Sequence, residues 1–88
     1  MQLLHTKTKE GLKVYEDRGN VYNENNLFRP MHITEMVQLL SHNRIYPKIK
    51  FDRQIELIYD NKNSYVIGKT LHRVFCNLVI KIFSQTNE

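Results

Sequence analysis

The segment with the least conformational choice is 71–82. Leu71, Val74, Phe75, Leu78, Val79 and Ile82 recur at i, i+3, i+4, i+7, i+8 and i+11. That spacing draws one apolar stripe down an α-helix. His72, Arg73, Asn77 and Lys81 lie off the stripe, so this helix needs a partner surface along its apolar side. The rest of the chain has to supply it.

Immediately before this helix stands Gly68-Lys69-Thr70, the lettering that closes a phosphate loop. A phosphate loop of the form G-x-x-x-x-G-K-[ST] needs an earlier glycine, so that main-chain N–H groups can wrap the phosphates. The position required is Asn63, and the residues between read as a strand. With 88 residues, the chain is also too short for a nucleotide-binding doubly wound domain. The reading is therefore a bend at Gly68 and a helix cap at Thr70.

A second helix is predicted after Pro30, whose missing N–H suits a helix start. Ile33, Met36, Val37 and Leu40 give it one buried face, Thr34 and Glu35 suit its first turn, and His42, Asn43 and Pro47 mark its end. The surface for both helices must be a sheet. Leu4, Thr6 and Thr8 alternate with polar residues, Glu10-Gly11 makes a turn, and Leu12, Val14 and Glu16 alternate again. Further on, Ile49 and Phe51 alternate with Lys48 and Lys50. Ile55, Leu57 and Tyr59 share one face, Asp60-Asn61-Lys62-Asn63 turns, and Tyr65 and Ile67 flank Val66. Residues 17–29, rich in Asn around Gly19, read as a long loop. The expected fold is α+β, in one domain over 1–88: a small antiparallel sheet of two hairpins with two amphipathic helices packed on one face.

Composition narrows the function classes. Hydrophobic residues make up 41% and charged residues 25%, a globular balance. The single cysteine, Cys76, cannot form an internal disulfide, and together with the polar run after Leu4 and the lack of a leader-like stretch this points to the cytoplasm. The longest apolar run, in 74–83, is interrupted by Asn77 and Lys81 and is too short to span a membrane. Lys, Asn, Ile and Tyr are abundant and Ala is absent, the bias of an AT-rich genome such as a low-GC bacterium, a phage or another virus.

No motif assigns chemistry. His72 and Cys76 are four apart on one helix, but Cys76 borders the apolar stripe and reads as a core residue, so no metal or cofactor is expected. His32, His42, His72, Glu35, Arg44 and Arg53 include the residue types of a small basic nuclease or toxin, without a spacing that brings them together. The expectation is a non-enzymatic regulator or inhibitor that binds a larger protein, with Tyr15, Tyr22, Phe28 and Arg29 as anchors, since Tyr and Arg dominate interface energetics. The contact surface would combine the 19–29 loop with the strand face around Lys48, Lys50 and Arg53. The net charge of +4 supports an alternative, an RNA- or DNA-binding face carried by Lys48, Lys50, Arg53, Lys62, Lys69 and Arg73. Open hairpin edges also allow a homodimer or strand addition.

Overall fold

The computed structural model describes residues 1–5, 11–60 and 64–84, apart from the side chain of His5. In chain order the elements are β1 (Gln2–His5), β2 (Val14–Asp17), β3 (Asn20–Asn23), α1 (Ile33–His42), β4 (Lys48–Phe51), β5 (Ile55–Tyr59), β6 (Ser64–Gly68) and α2 (Leu71–Ser84). The fold is α+β, as the patterning predicts. Its strands divide into two antiparallel three-stranded sheets, β1-β2-β3 and β4-β5-β6, each followed by a helix.

The extra strand, β3, lies inside the segment that reads as a loop. Arg18 and Gly19 both have positive φ, 53° and 83°, the conformation of a tight two-residue hairpin turn. The turn sets Asp17 opposite Asn20 and Tyr15 opposite Tyr22. Arginine is a rare choice for such a position, which hides the turn from a sequence reading. The Asn-rich stretch beyond β3 is also ordered by its side chains. Asn25 N–H donates to Asn23 Oδ1 at 2.8 Å, and Phe28 N–H to Asn26 Oδ1 at 3.0 Å. Met31 N–H then donates to Val21 O at 2.7 Å, returning the chain to the core. The expected strand residues Thr6 and Thr8, the turn residue Glu10 and the turn residues Asn61, Lys62 and Asn63 lie outside the described residues.

Helix α2 is the central rod. It approaches β1, β3, β5, β6 and α1, so both sheets and the other helix share it. Val74, Phe75, Cys76, Leu78, Val79 and Phe83 are buried, a wider arc than the stripe alone, while Leu71 and Ile82 are half-buried. Facing them are Val14 and Val21 of the first sheet, Leu57 and Val66 of the second, and Met36, Leu39 and Leu40 of α1. Truncating a side chain as enclosed as Leu78 to alanine costs about 2–5 kcal/mol.

Gly68-Lys69-Thr70 is the strand-to-helix corner. Arg73 N–H donates to Thr70 Oγ1 at 3.1 Å, so Thr70 caps α2. A Cβ on Gly68 would stand 2.9 Å from both the N and the Cα of Val74. The glycine is there because β6 and the first turn of α2 touch backbone to backbone. The corner is then held from the far side: Arg73 Nη1 donates to Gly19 O at 2.6 Å, joining α2 to the β2–β3 turn.

Helix α1 departs from expectation at its start and on its face. It begins at Ile33, three residues after Pro30, with His32 as N-cap. Glu35 closes this end by accepting His32 N–H at 2.9 Å and Arg29 Nη1 at 2.9 Å. The far end stops as predicted, where Asn43 Nδ2 donates to Leu39 O at 2.7 Å. The expected buried face included Val37, which is instead 45% exposed while Leu39 is buried. The helix is rotated about its axis so that Leu39 meets the first sheet, lining a groove with Leu12, Val14 and Met31. Val37 is left on the side of the second sheet.

Candidate protein-binding surface

Among the described residues, no element covers strand β4. All four of its residues are exposed, and it is the edge strand of its sheet. Alternate residues along such an edge direct N–H and C=O groups away from the sheet. Register assigns the side chains. Ile49 lies opposite Leu57 and Phe51 opposite Ile55, on the face that carries α2. Lys48 lies opposite Ile58 and Lys50 opposite Glu56, on the face that no helix covers. The same outer face continues through Tyr65 and Ile67 of β6. Neither lysine forms an ion pair among the described residues.

Because α1 is turned toward the first sheet, a gap opens between it and β4. This groove, about 300 Å³, is lined by Val37 and Ser41 of α1, by Ile45, Tyr46 and Pro47 of the connection, by Ile49, and by Phe75 of α2. Its rim is apolar and open, with Tyr46 69% exposed and Ile49 46%, and Phe51, two residues along β4 from Ile49 on the same face, is 70% exposed. Single exposed hydrophobic residues need no explanation, but a contiguous apolar patch on a small domain marks an interaction surface. A second groove of about 570 Å³ shares Ile45 and Tyr46 and is bounded by Arg44, Tyr59, Asp60 and Ile82.

The residues singled out from sequence fall in several places. Tyr15 and Tyr22 are cross-strand neighbours on the outer face of the first sheet, in line with Leu3, and both are half-buried. Phe28 is fully exposed at 101%. Arg29 is occupied by Glu35 and Pro30 O, so its first role is to fasten the entry to α1. Of the basic set, Lys48 and Lys50 share one face and Arg53 lies in the β4–β5 turn. Lys69 is exposed at the α2 corner. Arg73 is bound to the β2–β3 turn, and Lys62 lies outside the described residues. In the sequence Tyr46 and Phe51 stand out only as aromatics flanked by Lys48, Lys50 and Arg53, while Val37 and Ile49 read as core. A strand reading assigns Ile49 and Phe51 inward, and the edge position that exposes them is a property of topology.

Of the residues with catalytic or metal-binding chemistry, His72, Cys76 and Glu35 are engaged within the fold, while His42, Arg44 and Arg53 are exposed and lie on separate elements. His72 Nε2 is 2.9 Å from Met31 O, an acceptor only, so in the neutral ring Nε2 carries the proton. Nδ1 is left to accept from the Cys76 thiol at 3.6 Å. Burial pushes the Cys76 thiol pKa up, which keeps it protonated. The Glu35 carboxyl is held below its usual range, first by the His32 N–H and then by Arg29. Among the described residues, no three His, Cys, Asp or Glu side chains are grouped to hold a metal ion, and no helix is long and apolar enough to cross a membrane. Comparisons with family models, curated proteins and solved structures find no match.

Proposed function

We propose that this chain is a non-enzymatic protein-binding domain, a regulator or inhibitor that acts by occupying a larger protein. The observation that carries the reading is the apolar groove between α1 and β4, with Val37, Tyr46 and Ile49 exposed along it and Phe51 exposed farther along the same face of β4. An apolar centre with an aromatic rim and nearby cations is the anatomy of a protein interface. Of the surface expected from sequence, which combined the 19–29 segment with the strand face around Lys48, Lys50 and Arg53, this reading keeps β4 and centres the contact on the groove beside it. Phe28 remains a separate exposed anchor.

The test is capture from cells that express the chain natively, with and without nuclease. The expected result is a protein partner retained after nuclease treatment and lost with Phe51→Ala or Tyr46→Ala. Both variants alter exposed residues and should fold normally. A partner retained by both variants would overturn the reading.

A second reading rests on Lys48, Lys50 and exposed Tyr65 sharing the outer face of the second sheet. Cations beside an open aromatic ring suit single-stranded nucleic acid. This reading expects binding that weakens steeply with salt and is reduced by Lys50→Glu.

A further inference from the structure

Strand β4 has two faces of different chemistry and one free edge, and these together specify what would complete it. A strand added along that edge lies beneath the flank of α1. Here α1 has α2 as its main neighbour and makes no comparable approach to β4. Side chains on the inner face of such a strand would meet Val37, Tyr46 and Ile49 across the groove. Those on the outer face would lie beside Lys48 and Lys50, which form no ion pair among the described residues, although Glu56 is the cross-strand neighbour of Lys50.

A second copy of β4 fits poorly. Two antiparallel copies related by a two-fold axis must place the axis at a residue, because side chains alternate between faces. Centred on Ile49, the pairing sets Lys48 opposite Lys50. Centred on Lys50, it sets that lysine opposite itself. Like charges directly opposed destabilise a strand pair. Lysines on an edge strand are also a common guard against self-pairing.

We infer that β4 accepts a strand from a partner protein, an extended segment in which acidic and apolar side chains alternate. Apolar residues enter the α1–β4 groove, acidic residues face Lys48 and Lys50, and main-chain hydrogen bonds form along the β4 edge. This rests on the protein-binding reading and names its mode and its partner chemistry.

The test uses the full chain and two short blocked peptides, Glu-Val-Glu-Ile-Glu-Val and its counterpart with lysine in place of each glutamate. Binding is followed by amide NMR shifts. The expected result is that the glutamate peptide shifts the amides of 45–51 and Val37, and that β4 amides gain protection from exchange. In the variant carrying Lys48→Glu and Lys50→Glu the preference inverts, with the glutamate peptide at least about tenfold weaker and the lysine peptide favoured. Both lysines are exposed, but Lys50→Glu stands opposite Glu56, a like-charge pair that weakens the sheet. Thermal unfolding therefore first checks that the variant is folded, and Lys48→Glu alone, opposite Ile58, repeats the test where it is not. Shifts elsewhere, no shifts, or equal response to both peptides would overturn the inference. So would a β4-mediated dimer of the free chain in sedimentation. Should the peptides fail while Phe51→Ala still abolishes partner capture, strand addition is wrong and the protein-binding reading stands. Failure of both removes both.

Discussion

Replacing Gly68 by alanine pits two effects of opposite sign against each other. The backbone at this position does not have a positive φ, so alanine meets no conformational penalty. On unfolded-chain entropy alone, Gly68→Ala should stabilise by about 0.4–1 kcal/mol. The packing says otherwise. The new Cβ would stand 2.9 Å from Val74 N and Cα and 3.0 Å from its Cβ, against about 3.5–4.0 Å for unstrained contacts. The obstruction is main chain, which cannot rotate aside. The first turn of α2 would have to back away by about half an ångström, yet Val74 is fully buried and Arg73 ties the same turn to Gly19. Overpacking of this kind costs about 1–3 kcal/mol, and the net expectation is a loss of about 1–2 kcal/mol. For a domain of this size that lowers Tm by roughly 5–15 °C. Thermal and urea unfolding of the two proteins measure it directly. A variant as stable as the parent, or more stable, would refute the backbone contact and with it the account of Gly68-Lys69-Thr70 as a packed corner.

Arg44 has a φ of 60° just beyond the α1 C-cap, so Arg44→Gly should raise stability by about 1 kcal/mol in urea unfolding. The Glu35 carboxyl has a folded-state pKa below its ordinary 4.5. Its stabilising contribution is therefore complete above that value and is lost as pH falls through the folded pKa. The stability gap between the parent and Glu35→Ala, measured by denaturation from neutral to acidic pH, should shrink on acidification. Cys76 is fully buried and its thiol pKa is raised. A thiol-reactive dye at mildly alkaline pH should label it slowly in the native protein and quickly in urea.

The helices were legible because period 3.6 survives in a short window. Thr70 as cap, Asn43 as stop and the α2 stripe all hold. The second meander was legible for the same reason at period two, with Leu57 opposite Val66. The turn at Arg18-Gly19 was not, because only glycine advertises its positive φ and arginine disguises the other half. The candidate surface was less legible still. Val37, Ile49 and Phe51 are apolar and correctly spaced for a core, so a pattern counts them as inside. Their exposure follows from which way α1 leans and from β4 being the edge strand of its sheet, and neither is written in local periodicity. Arg29 and Arg73 illustrate the converse, as cations that look available in the sequence and are already bound in the fold.

The element on which both sheets and α1 lean is also the last one described in chain order. A nascent chain that has emerged only as far as Thr70 holds two meanders and a helix with their apolar sides uncovered. Consolidation on the ribosome then waits for α2, and until it arrives the unfinished chain is at its most exposed to misassociation. A stop codon within α2 would accordingly remove the surface on which both sheets and α1 pack.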